Sequence, residues 1–289
     1  MSATPMSATP MTATPMTVTT AAERVRLAPA RTTAAPDTWF LTGRKLRALA
    51  RQPAVLAMGV IQPVIWLFLF GEMFHKVIDI PGFSYQGSYL AYLIPGVVAM
   101  NAMSGNMWAG MSMIDEIDRG TLNRFLVTPA SRLAIMNASV AEQAVSTTVQ
   151  TLIIVGLGYA GGASFPGGTV GIVVLIVAAI EVGVLWGALS NTTGMLLRAR
   201  EAIIGVYTFF MLPLMFLSSA FMPPGFLPGW MQAIARWNPL NWEVEMGRSA
   251  LSASPDWSAV AIRGAGLLVL AIACVALSVR TFRSYAKNV

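Results

Sequence analysis

The sequence predicts an all-α integral membrane protein with six transmembrane helices, residing in the cell membrane. Three observations predict it. Of 289 residues, 55% are hydrophobic and 11% charged, against roughly 25% charged in soluble domains, and the mean hydropathy is +0.64. Six apolar stretches reach the ~20 residues that a helix needs to cross a bilayer. Fifteen of the nineteen Lys and Arg residues fall before the first stretch, in alternate connections, or after the last.

Residues 1–20 form a five-residue repeat (MSATP, MSATP, MTATP, MTVTT). Such a tract buries too little apolar surface to offset its ordering entropy, so residues 1–36 are expected to be a disordered, low-complexity cytoplasmic tail. It lacks the apolar core of a secretory signal peptide. In residues 37–52, Asp37 is a fair N-cap after Pro36. Trp39, Phe40, Leu46, Leu49 and Ala50 oppose Arg44, Lys45, Arg47 and Arg51. The pattern suits an amphipathic helix lying on an anionic leaflet; the same bases also serve as the basic flank of the next span.

The transmembrane domain is expected over 53–289, with spans at 54–74, 89–114, 133–159, 170–197, 203–222 and 258–281. Bases precede span one, recur between two and three (Arg119, Arg124, Arg132) and between four and five (Arg198, Arg200), and follow span six (Arg280, Arg283, Lys287). The positive-inside rule therefore puts both termini in the cytoplasm. The last outer connection is broken by Pro223, Pro224, Gly225, Pro228 and Gly229. Two short amphipathic pieces, 231–237 and 242–251, then flank Asn238-Pro-Leu-Asn241. They are too short to span, so they are expected as an outer re-entrant helical hairpin, with Trp230, Trp237 and Trp242 at headgroup depth.

Between spans two and three lies the longest charged interruption, 115–132. Acids come first (Asp115, Glu116, Asp118) and bases follow. Leu122, Phe125 and Leu126 share one face of a short helix. The early acids suit the positive end of a helix dipole, with the start open between Asp115 and Asp118. Thr128-Pro129 ends it. This is a cytoplasmic amphipathic knob, built to be gripped from outside the lipid.

Span three carries Glu142 and span four Glu181. A carboxylate inside a bilayer is a functional candidate; the plainer alternative is a structural group bonded to neighbours such as Ser146 or Gln150. Counted from the helix ends at 1.5 Å per residue, both stand about 12–13 Å from the cytoplasmic face, close enough to interact. On span two, Asn101, Gly105, Trp108 and Ser112 form a small polar stripe. Met100, Met103, Met107 and Met111 form an adaptable apolar one, equally suited to plain packing. Gln62-Pro63 is expected to kink span one.

No enzyme chemistry is indicated. A single Cys274 and a single His75 exclude a disulfide framework and a Cys- or His-rich metal cluster. No nucleophile sits beside a base. No G-x-x-x-x-G-K-[ST] phosphate loop is present, so the chain should not hydrolyse ATP by itself.

The string EIDRGTLNRFLVTPASR at 116–132 resembles the E-x-[DE]-R-G-T-x-x-x-[FL]-L-V-T-P-x-[SR]-R signature of ABC-2 type permeases. YLIPG at 92–96 resembles the L-x-P-G entry to their second span. PGW at 228–230 with WNPL at 237–240 resembles their outer hairpin element. The likeness covers about 37–289 and is nearest to the daunorubicin-resistance (DrrB-like) group. In length and pattern it resembles mycobacterial permeases associated with phthiocerol dimycocerosate lipids. The repeat at 1–20 lies outside the family pattern.

The resemblance implies a transport subunit. Two copies would pair with two copies of a separate ABC ATPase, which would bind the ATP and Mg; no cofactor would be held by this chain. Residues 116–126 would be the coupling helix. Leu122, Phe125 and Leu126 would be its buried anchors, Glu116, Asp118, Arg119, Thr121 and Arg124 its polar residues, and Gly120 would permit a sharp entry. The substrate would be hydrophobic or amphipathic, a drug or a complex lipid. Its pathway candidates are Asn101, Met103, Met107, Glu142 and Glu181. The partners expected are thus the ATPase, a second copy and the lipid membrane, with no nucleic acid. Two other readings stand beside this one: a proton-coupled secondary exporter using Glu142 and Glu181, and a non-transporting membrane scaffold.

Overall fold

The computed structural model describes residues 42–44, 47, 51, 53–74, 76, 88–118 and 132–285. The tail 1–36, most of the interfacial segment 37–52, and residues 119–131 lie outside the described residues; within that segment, 42–44 and 47 are helical. Among the described residues, nine α-helices follow in order: α1 Pro53–Met73, α2 Tyr89–Met107, α3 Ala109–Asp118, α4 Arg132–Ala160, α5 Gly168–Leu197, α6 Arg200–Phe216, α7 Gly229–Ala235, α8 Pro239–Leu251 and α9 Trp257–Tyr285. No strand occurs among the described residues. Among the described residues, three helices are long and apolar enough to cross a membrane: Ala138–Ala160 within α4, α5 itself, and Trp257–Phe282 within α9.

The bundle is arranged around α5, which packs against α2, α3, α4, α8 and α9. Its sequence explains this. Gly171, Ala178, Ala179, Gly183, Gly187, Ala188, Ser190 and Gly194 give it small residues on several faces, and small residues let helix backbones approach closely in lipid. A Cβ on Gly194 would lie 2.6 Å from the Gly110 carbonyl oxygen on α3, and one on Gly171 would meet the backbone of Ala250 on α8. The main core joins Leu93, Ile94 and Val97 of α2, Leu175 and Val182 of α5, Leu240 and Val244 of α8, and Leu267 of α9. The exposed side chains of α1, α6 and α9 are largely apolar, among them Ile65, Phe209, Phe216, Ile262 and Val269, as expected where lipid is the solvent.

Elements differ from expectation where a side chain intervenes in the backbone. The second apolar stretch is two helices, broken at Trp108. The fifth ends at Phe216 rather than near residue 222. Pro213 lies in its last turn, and the C-terminal carbonyls of Leu214 and Leu217 are capped by the Asn238 amide at 2.7 and 3.0 Å. The helix expected at 242–251 begins three residues earlier. Asn238 caps it by accepting from the Leu240 amide at 3.0 Å, and Pro239 takes the first helical position, where its missing N–H costs nothing. α9 is capped likewise, by Asp256 accepting from Ser258 and Ala259; those bonds, led by the Ala259 amide, hold the Asp256 carboxyl below its ordinary value.

Candidate functional site

The break at Trp108 is made by Ser190 of α5. Its hydroxyl donates to the Met107 carbonyl and accepts from the Gly110 amide at 3.0 Å. A hydroxyl inserted into the helical ladder takes over two backbone groups and ends one helix as the next begins. Just before the break, the Asn106 amide donates to the Ala102 carbonyl at 2.7 Å and to Thr147 of α4 at 3.2 Å. It lies over Gly183, where a Cβ would be 2.7 Å from Nδ2.

A polar seam continues along α2, α4 and α5. Asn101 donates to Gln150 at 2.7 Å. Gln143 is buried against Gly187, with neither amide atom hydrogen-bonded. Beside the seam, Gln62 and Trp66 of α1, Met100, Asn101 and Ser104 of α2, and Met211 of α6 line a narrow crevice of about 20 Å³. That volume suits about one water. Amides, a hydroxyl, thioethers and an indole in its lining make it amphipathic.

These packings set the register of α4 against α5. Gln143 meets Gly187 and Thr147 meets Gly183, so Glu181 comes level with about Val149 and Gln150. The half-buried Glu142 stands about seven residues, or ~10 Å, away along the axis. The equal depth expected of the two carboxylates is not found. Large amides seating on glycines set the register, and counting from helix ends does not capture that.

The acids at 115–118 also differ from expectation. They close α3 rather than open a helix, so they stand at the negative end of its dipole. Asp115 is compensated by an ion pair with Arg200 at the start of α6. Glu116 lies in α3 and Asp118 ends it, exposed. Arg119, Gly120, Thr121, Leu122, Arg124, Phe125 and Leu126 lie outside the described residues.

The opposite end of the bundle is tied by α8. The Arg248 guanidinium donates to the Tyr92 carbonyl at 3.1 Å, the Ser219 hydroxyl at 3.2 Å and the Ala220 carbonyl at 2.8 Å. Asn241 accepts from the Ser219 amide and hydroxyl and donates to Glu245, which pairs with Arg263 of α9. On the apolar face of α8, Glu243 is fully buried, and neither carboxylate oxygen has a hydrogen-bond partner. Burial pushes its carboxyl well above the ordinary range, and the charge of nearby Glu181 adds to this.

Residues 36–251 match the ABC-2 type transporter family. The chain belongs to that family. The permease is 30% identical over 210 residues to the putative transport permease ycf38 of Porphyra purpurea, covering 72% of this chain and 71% of that one. It is 30% identical over 220 residues to the daunorubicin resistance ABC transporter permease protein DrrB1 of Streptomyces coeruleorubidus, covering 74% of each. It is 22% identical over 244 residues to the probable doxorubicin resistance ABC transporter permease protein DrrC of Mycobacterium tuberculosis, covering 82% and 87%. It is therefore a transport subunit of a kind that works with ABC ATPase subunits.

Within the permease, the pathway candidates divide. Asn101 borders the crevice, Met103 is sealed in the main core, and Met107 packs on a separate cluster around Ile114, Ile203 and Tyr207. Glu243 escaped notice because it sits in a stretch read only as amphipathic. The signal was there: Leu240, Glu243, Val244 and Gly247 fall at i, i+3, i+4 and i+7, which puts an acid on the buried face. Ser190 and Arg248 carried no comparable signal, because their partners, mostly backbone groups, are distant in sequence.

Proposed function

We propose that this permease is the membrane subunit of an ATP-driven exporter that moves an amphipathic drug or complex lipid out of the cell. Two copies assemble with two copies of a separate ATPase. In this reading the chain has six spans and both termini in the cytoplasm. The coupling stretch, running from Glu116 in the last turn of α3 to Leu126, seats in the ATPase, with Leu122, Phe125 and Leu126 as anchors. Closure of the ATPase on ATP shifts the coupling helices, and nucleotide acts only through its differential affinity for the two states. Asn101, Met103, Met107, Glu142 and Glu181 are the pathway candidates.

Family membership over 36–251 carries the proposal, and the drug-resistance names of two relatives favour an amphipathic cargo. The amphipathic crevice beside Asn101 agrees with such a cargo, although at about 20 Å³ it must open to admit one. The test is copurification with the cognate ATPase, followed by ATPase assay in nanodiscs with daunorubicin and with a long-chain lipid as probes. Stimulation by either supports export and names the class; stimulation by neither, with no ATPase copurified, overturns the proposal. Phe125→Asp should abolish stimulation, and stimulation surviving that change would remove the coupling assignment. Glu142→Gln with Glu181→Gln should reduce export without preventing assembly; unchanged export would remove both from the pathway.

A further inference from the structure

We infer that Ser190 is a positioning residue for transport: its hydroxyl is the fulcrum on which α3 pivots against α2, converting displacement of the coupling stretch into movement of the spans. This rests on the ATP-driven reading above.

Four observations support it. The Ser190 hydroxyl satisfies one backbone group on each side of the break, the Met107 carbonyl and the Gly110 amide. Without it, those groups are free to pair along a continuous helix through Trp108. The α2 side of the break is anchored, because Asn106 is bonded to Thr147 of α4 and seated on Gly183 of α5. On the α3 side, Gly110 packs directly on the Ser190 backbone and hydroxyl and on the Gly194 backbone. Finally, the far end of α3 is tied to α6 by Asp115 and Arg200. Motion of that end is therefore passed to a second helix.

The lever is ten residues long, about 15 Å at 1.5 Å per residue. A change of ~20° in the angle at the break would move its tip by roughly 5 Å. The partner that moves it is whatever grips residues 119–131, which follow α3 in the sequence.

The experiment uses the full chain with its ATPase in nanodiscs. Spin labels are placed at Glu201→Cys at the start of α6, next to the Arg200 that ties it to α3, and at Leu268→Cys on α9, both exposed, with Cys274→Ser. Two quantities are read: the label distance without nucleotide, and its change on vanadate trapping. Ser190→Ala is expected to shift the first by several ångströms, about 5 Å, and to reduce the second by about half or more. Ser190→Thr, which keeps the hydroxyl, is expected to restore both. Ser190→Ala matching the parent in both quantities would overturn the inference while leaving ATP-driven transport intact. So would Ser190→Thr behaving as Ala, since the hydroxyl would then not be what positions α3. A parent protein whose distance ignores nucleotide would overturn the lever and the ATP-driven reading together.

Discussion

Arg248 stands over the face of Tyr92, its guanidinium carbon 3.5 Å from the ring centroid, and bonds to the same residue's carbonyl. One side chain of α8 thus holds the start of α2 both by its ring and by its backbone. Through Ser219 and Ala220 it also holds the turn after α6. A planar fork that stacks and bonds three acceptors has no equivalent in a lysine.

Arg248→Lys should therefore not be conservative. With one compact ammonium in place of the fork, at least one buried carbonyl loses its donor, at a cost of about 1–3 kcal/mol. Equilibrium unfolding in detergent should show this loss, and Arg248→Met should lose at least as much. A lysine variant as stable as the parent would mean that stacking and fork geometry contribute nothing.

Glu243 predicts a pH dependence. Burial raises its carboxyl well above the ordinary value, so the folded chain keeps this proton where the unfolded chain releases it. Its contribution is fully present below the unfolded-state value and is lost as pH rises through the folded-state value. Glu243→Gln, which cannot ionise, should flatten that decline and leave the variant the more stable of the two on the alkaline side. Thermal unfolding from about pH 5 to about pH 9 tests it; parallel profiles would exclude Glu243 as the titrating group.

Two glycine changes should part company. A Cβ on Gly171 would press on the Ala250 backbone, whereas one on Gly156 meets nothing within 4 Å. Gly171→Ala should cost about 1–3 kcal/mol by forcing α5 and α8 apart. Gly156→Ala should be neutral or stabilise by up to ~1 kcal/mol, from reduced backbone entropy in a helix. Comparing the two unfolding curves separates close packing from mere helix propensity.

Asp118 ends α3, exposed, in a last turn that holds no base. A negative charge there opposes the helix dipole, so Asp118→Asn should stabilise the fold by roughly 0.3 kcal/mol or more. If the acid belongs to the coupling surface, the same change should weaken ATPase copurification. A gain in stability with undiminished copurification would confine Asp118 to a structural cost.

Much of this permease is legible in its composition and spacing. Apolar runs of sufficient length announce α4, α5 and α9, because a helix in lipid must satisfy every backbone group internally and show apolar side chains outward. The end of the outer hairpin helix at Leu251 is legible too, whereas its start lies at Pro239 rather than 242 because Asn238 caps it. Even the buried Glu243 can be found, since helical period alone puts it beside Leu240 and Val244. The string at 116–132 was sufficient to point to the family that the match over 36–251 establishes.

What only the tertiary structure decided depends on neighbours far along the chain. The break at Trp108 is invisible locally; it exists because Ser190, some eighty residues on, reaches two backbone groups. The acids 115–118 read as the opening of one helix and prove to be the close of another, because that break re-phases everything after it. The offset of Glu142 from Glu181 follows from Gln143 and Thr147 seating on Gly187 and Gly183. A sequence determines which residues tolerate lipid and where a helix can start. Which polar group meets which backbone atom is decided only when the helices pack, because in a dry interior each such group must find a partner or bear the cost of lacking one.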